Sequence, residues 1–401
     1  MAVGWTVAVG AQGPTTDWPQ WRGPNRDGSV PSFTPPRTWP DSLTKRWQVE
    51  VGIGYATPVV AGNRVYIFTR REDDEYLTAL DAATGKQVWE SHYPAPYTLI
   101  RAAAPHGMGP KSTPAYADGR VFTFGISGIL SAFDAASGKL LWQKPAPAVG
   151  PTFQTSMPPL VDRGLLIAHV GGNNQGALTA FEPGTGNVRW HWDGDGPGYG
   201  APIVAEFSGT RQVVTYTQQN IVGVSAETGE LLWKRPLKTP PLVNALTPIV
   251  YGQTVIASGT ENGVLAFRIS RQGNQWAAEE AWHNEDTFVQ LSNMVTIGDT
   301  LFGLSPLARG KYFFLDAGSG KLLWTGTGGA ANNAAIAKAG NWLLVLQDNG
   351  ELLVADGGIS TSFTPLHRYK LADTATWAAP AISGNRVFVK DVSSLALWTL
   401  D

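Results

Sequence analysis

The residues of this 401-residue chain best placed for chemistry stand just ahead of short apolar runs: Tyr55, Lys111, Gln154, Tyr199, Asn244, Asn293, Asn332, Asn333 and Trp377. Amides, phenols, an indole and an amine can hydrogen-bond and stack, which suits a sugar, a peptide or a flat quinone. Amides equally satisfy the backbone of tightly folded loops, so the pattern carries two readings. No Asp or Glu stands at these positions, so a hard divalent ion would lack its charge partners there. The six histidines, His92, His106, His169, His191, His283 and His367, show no His-x-x-x-His spacing, and cysteine is absent. Cys-ligated zinc, thiolate catalysis and disulfides are thereby excluded, and no metal site is expected. The "DGDG" run at 193–196 lacks the further acidic positions of a calcium loop and reads as a turn. There is no Gly-x-Ser-x-Gly elbow and no phosphate-binding loop ahead of a helix, so catalytic residues remain unassigned.

The elements that must position these residues come from a repeat. "LDAATGKQVW" at 80–89 recurs as "FDAASGKLLW" at 133–142, "FEPGTGNVRW" at 181–190, "VSAETGELLW" at 224–233 and "LDAGSGKLLW" at 315–324. Each copy follows a hairpin such as "TPVVAGNRVYIF" at 57–68, whose Gly62 and Asn63 carry tight-turn chemistry. Landmarks at Pro58, Pro114, Pro158, Pro202, Pro248, Met294, Ile336 and Pro380 lie 56, 44, 44, 46, 46, 42 and 44 residues apart, close to the period of a four-stranded propeller blade. The pattern predicts an all-β, eight-bladed propeller of antiparallel blades. Its last copy breaks off at Leu400 and Asp401, and "TKRWQVEV" at 44–51 reads as the missing outer strand, with Trp47 in the place of Trp89. Closure of the last blade by the N-terminal strand is expected, because a ring must hide its sheet edges. Blades five and seven depart from the repeat: Trp282 follows a longer hairpin, and Tyr369 stands where Trp is expected.

Composition sets the remaining bounds. Thirty basic and 32 acidic residues give a net charge of −2, with no basic stripe, so neither nucleic acid nor an anionic membrane is an expected partner. Residues 1–13 are read as the tail of a secretory signal, too short to span a bilayer, which implies a periplasmic or secreted protein. Residues 14–43, rich in Trp and Pro, are read as an extended strap, with Trp18, Trp21 and Trp39 pinning it to the propeller wall. The repeat fills 44–401 as one domain.

The motif Ala-x-Asp-x-x-Thr-Gly-x-x-x-Trp, as in "ALDAATGKQVW", resembles that of the quinoprotein-type (PQQ-like) repeat propellers over about nine-tenths of the chain. That family includes pyrroloquinoline-quinone (PQQ) dehydrogenases and the non-enzymatic, BamB-like propeller of the outer-membrane barrel assembly machinery. The resemblance implies that Trp47, Trp89, Trp142, Trp190, Trp233 and Trp324 are docking residues between blades. It also makes PQQ with calcium the alternative cofactor set. The carboxylates such a site needs are missing from the channel-side positions, so no cofactor is expected.

The A–B and C–D turns of such blades share one face, and the B–C loops and D–A crossovers share the other. The first set is short and uniform. The second includes the 90–111 crossover, "ESHYPAPYTLIRAAAPHGMGPK", which carries Tyr97, Arg101, His106, Met108 and Lys111. Variable loops on a rigid ring are where binding residues gather. The sequence is therefore read as an extracytoplasmic scaffold that contacts a protein, peptide or polysaccharide through this upper face, either alone or as a subunit of an envelope assembly. The alternative is a PQQ-dependent alcohol or sugar dehydrogenase.

Overall fold

A computed structural model describes residues 17–240 and 243–400; the expectation for residues 1–13 lies outside the described residues. Eight four-stranded antiparallel sheets form the blades of a propeller, and helical structure among the described residues is limited to two short 3-10 turns. Blade one consists of Val59–Ala61, Arg64–Arg71, Asp74–Asp81 and Gln87–Pro94, numbered A to D from the axis outward. The other complete blades repeat that order. Blade eight takes Ala381–Ser383, Arg386–Lys390 and Ser394–Thr399 from the C-terminal end and Thr44–Glu50 from the N-terminal end. Thr44 pairs with Thr399 and Glu50 with Ser394, with a register shift between Lys45 and Trp47. Closure by the N-terminal strand is thus observed.

A bulge just before the repeat Trp sets how blades dock. In blade one Trp89 pairs with Ala79 whereas Gln87 pairs with Leu80, so Val88 is the extra residue. The small residue opposite the indole recurs as Ala132, Ala180, Gly223 and Ala266. The indoles of blades eight, one, two and three then reach the C–D turn of the following blade. Trp47 donates to Ala82 O at 3.2 Å, Trp89 to Ala135 O at 3.1 Å, Trp142 to Pro183 O at 2.8 Å and Trp190 to Ala226 O at 3.1 Å. The ring also covers the glycine of that turn. Gly85, at φ +70°, would bring a Cβ to 2.7 Å from Trp47, and Gly186, also at +70°, to 2.8 Å from Trp142. At these positions both the left-handed backbone and the indole demand glycine. The Asp that opens the turn holds it from within: Asp81 accepts from the Thr84 N–H at 3.0 Å and the Thr84 hydroxyl at 2.8 Å.

Departures from the repeat have local causes. Trp282 docks like the others, donating to Ala317 O at 3.1 Å, so the long hairpin before it does not spoil its blade. That hairpin, Gly263–Gln272 with Gln275–Asn284, replaces the turn that Trp233 would have met. Trp233 remains buried but donates instead to Gln212 Oε1 of its own blade at 2.7 Å. Trp324 faces Phe314 instead of a small residue and stays half-buried, with ring centroids 6.3 Å apart.

The strap is not laid on the outer wall. Gly62, in the A–B turn of blade one, donates its N–H to Asp17, and Trp18 bridges to Val60 on the inner strand. Trp21 donates to Thr247 at 2.8 Å, Arg22 to Met294 O at 2.6 Å and Arg26 to Pro159 O at 3.1 Å. Ser29 then bridges to Lys338 of blade seven. Residues 17–30 therefore rise into the axial channel from the short-turn face and return, touching inner strands around the ring. Trp18, Arg22, Arg26 and Val30 are all at most 5% exposed. Beyond about residue 33 the strap passes to blade seven. Trp39 packs on Trp342 and His367, and Tyr369 donates to Pro40 O at 2.8 Å. At the boundary where blade eight has no continuous C–D turn, the strap supplies what Tyr369 docks on.

Trp142→Ala should cost about 3 kcal/mol of stability, against about 0.5 kcal/mol for exposed Asn332→Ala. Chemical denaturation of the two variants checks this, and equal losses would refute the docking role. Deleting residues 1–52 removes both the channel insert and the closing strand, and should replace a cooperative melt with aggregation in calorimetry.

Candidate functional site

The upper face is divided into two unlike arcs. Across blades eight to four runs an aromatic and basic arc. His106 packs edge-on to Trp377 with centroids 4.8 Å apart, and Tyr55 lies 6.0 Å from His106 and 6.2 Å from Trp377. Lys111 donates to Phe153 O at 3.3 Å, and Phe153 packs edge-on against Tyr199 at 6.0 Å while its N–H donates to the Tyr199 hydroxyl. Burial holds the His106 and Lys111 pKa values below their ordinary ones, and the Lys111 charge adds to the effect on His106. His106 is thus neutral at pH 7, able to donate one hydrogen bond and accept one. Tyr55, His106, Lys111, Gln154 and Trp377 are only half-buried, so this arc presents both rings and polar atoms to solvent.

The opposite arc is occupied with its own loops. Asn244 is 1% exposed, donates to Thr217 O at 2.9 Å and Leu237 O at 2.7 Å, and accepts from Thr239. Asn293 accepts the Thr247 N–H at 2.8 Å, and Asn333 accepts the Ser292 hydroxyl at 2.7 Å. All three are buried, which corrects their reading as rim ligands: their amides stitch neighbouring crossovers together. Asn332 alone of these amides is exposed, bonded to Asp348 at 3.2 Å. Arg22 is likewise buried in the channel.

The 90–111 crossover is anchored at both ends. Arg70, 1% exposed, donates to Ala95 O at 2.8 Å, and the Ala95 N–H donates to Asp73 O at 3.0 Å. At the far end Tyr55 N–H donates to Pro110 O at 2.8 Å, and Gly109 passes so close to Gly54 that an added Cβ would lie 2.5 Å from its Cα. Between these anchors Arg101 is exposed at the start of the 3-10 turn Arg101–His106, and Tyr97 is half-buried. Beside Arg70 lies Glu75, fully buried, accepting from Ile126 N–H at 2.7 Å and the Tyr93 hydroxyl at 2.9 Å. A Cβ on Gly125 would collide with its carboxylate, which explains the "GISG" glycine at that position. Desolvation pushes the Glu75 pKa up to about 7 against the pull of these bonds and of Arg70. Glu75, Arg70 and Phe153 were missed in the sequence because strand charges and a lone loop Phe carry no spacing signal.

A family model described as outer membrane protein assembly factor BamB (PQQ_2) matches residues 40–107 and 73–305, well over half of the chain. The chain belongs to that PQQ-like repeat family. A BamB of Burkholderia pseudomallei is 25% identical over 361 residues, covering 86% of this chain and 84% of its own. A quinone-dependent alcohol dehydrogenase subunit of Komagataeibacter europaeus is 30% identical over 145 residues, which span only 34% of this chain and 19% of that subunit. Among solved structures, BamB from Moraxella catarrhalis superposes with a TM-score of 0.63 at 14% identity, covering 89% of this chain and 99% of its own. Quinohemoprotein alcohol dehydrogenase from Comamonas testosteroni gives 0.68 at 14% identity, covering 96% of this chain and 80% of its own. At such identities the superpositions establish the shared eight-bladed architecture. The dehydrogenase branch of the PQQ-like family implies PQQ with calcium, and the channel-side residues do not fit that pair. The amide oxygens of Asn244, Asn293 and Asn333 are bonded to protein donors, and among the described residues no three His, Asp or Glu side chains are grouped to hold a metal ion.

Because the folded Glu75 pKa lies above its unfolded value, the folded state holds the extra proton. Stability should therefore fall as pH rises from about 4.5 through about 7. Glu75→Gln should flatten that fall by roughly 2–4 kcal/mol in denaturation profiles from pH 4.5 to 8. An unchanged pH dependence would mean that Glu75 is already ionised in the fold.

Proposed function

We propose that this propeller is a protein-binding scaffold of the bacterial envelope, working on the periplasmic side in the assembly of outer-membrane β-barrel proteins. The observation that carries the reading is the upper-face arc of Trp377, Tyr55, His106 and Lys111, continued by the doubly anchored crossover with exposed Arg101. Rigidly held aromatic and Arg side chains are the usual anchors of protein interfaces, and pre-organisation lowers the entropy lost on docking. Membership of the BamB-described family supports the choice of partner, as does the near-full-length match to a curated BamB. The amide arc is spent on internal bonds, which weighs against a ligand encircled by the whole rim. A free peptide or polysaccharide is a narrower occupant of the same arc.

Replacing residues 96–105 by a four-residue Gly/Ser link should abolish co-purification with the β-barrel insertase of the assembly machinery while the melting temperature holds. Trp377→Ala should weaken the same capture by about tenfold or more. Retained capture by both variants would move the docking site elsewhere. Calorimetry with PQQ and calcium tests the competing reading: micromolar binding together with dye-linked alcohol oxidation would replace the scaffold by a quinone-dependent dehydrogenase.

A further inference from the structure

Two guanidinium groups lie inside the axial channel, and their charges are not matched there. Arg22 and Arg26 are 5% and 4% exposed. Arg22 donates to Asp27 O at 2.9 Å and Met294 O at 2.6 Å, and Arg26 to Gln20 Oε1 at 3.0 Å and Pro159 O at 3.1 Å. All of these acceptors are neutral. The Nε of each arginine has no hydrogen-bond partner. Asp27 is the nearby carboxylate, but it accepts from Ser29 N–H at 2.8 Å and faces Lys338 at 3.8 Å. Three cations thus meet one anion. Burying an ion without a counter-ion is costly, and burial indeed pulls the Arg26 pKa down to about 9 and that of Arg22 to about 10.

Both arginines border a cavity of about 200 Å³, walled also by Asp27, Ile249, Met294 and Thr296. It extends to Asn25 and Val250, which are exposed beside the short A–B turns, so it opens on the face opposite the aromatic arc. We propose that this turn-face half of the channel binds a small oxyanion, a phosphate or a carboxylate, between Arg22 and Arg26. The planar fork of each guanidinium suits two-point contact with such oxygens, and both side chains line the cavity with no carboxylate hydrogen-bonded to either. An anion there would ligate the returning arms of residues 17–30 and complete the charge balance of the channel insert. The site is independent of any partner bound on the upper face.

Titration calorimetry and thermal melts of the full chain test this with inorganic phosphate and, separately, acetate, each against chloride at matched ionic strength. Saturable binding of one or both oxyanions, with a raised melting temperature that chloride does not reproduce, is expected; which of them binds assigns the headgroup chemistry. Arg26→Gln should weaken that binding about 10- to 100-fold, the loss expected of a charge-assisted hydrogen bond. Arg26→Lys keeps the charge without the fork and should bind at intermediate strength, which distinguishes lost recognition from lost folding. Absence of saturable binding to the wild-type chain, or equal binding by wild type and Arg26→Gln, would overturn the proposal.

Discussion

The molecule depends on one contact made again and again: an indole from the outer strand of one blade lying on the glycine of the next blade's turn and donating to the carbonyl beside it. Each blade alone is a small sheet with one unfinished side, and the contact covers that side with apolar area while satisfying the single polar atom of the ring. The bulge that aims the indole, the small residue opposite it and the Asp that folds the turn all serve this geometry. Their appearance together in one sequence motif follows from that shared task.

The architecture was legible for the same reason. Residues bound to a repeating contact recur at a fixed spacing, so blade number, turn chemistry and closure by Thr44–Glu50 could be read before any coordinate. What could not be read was non-repeating. Trp282 and Trp233 exchange expectations because docking depends on the turn of the next blade, not on the strand that carries the Trp. The amides Asn244, Asn293 and Asn333 belong to buried crossover contacts, and nothing in their spacing distinguishes a rim amide from a structural one. The fold of residues 17–30 into the channel was invisible for a further reason. The partners of its two buried arginines at the inner strands are main-chain carbonyls, which every sequence has.

The channel insert also shapes what the propeller offers to its surroundings. A bare ring has two mouths, and here one is filled from the short-turn side by Trp18, Arg22, Arg26 and Val30. Trp377 of the aromatic arc borders a cavity of about 60 Å³ whose lining includes Trp18, Trp21 and Arg22 of the insert. A channel so filled favours a partner that rests on the rim over one that threads the axis. The long crossover, held at Ala95 and Pro110, makes this face unlike the uniform short-turn face.

The closing pair, Glu50 with Ser394, joins residues more than three hundred positions apart. The channel insert and the closing strand precede all eight blades, yet the strands they touch include those of blades six to eight. The N-terminal segment must therefore wait, with its strand edge unpaired, until blade eight has been made. Contacts of such separation are slow to form, and an open edge invites association with other chains. A carrier that shields this one segment until the last blade arrives would protect the entire fold.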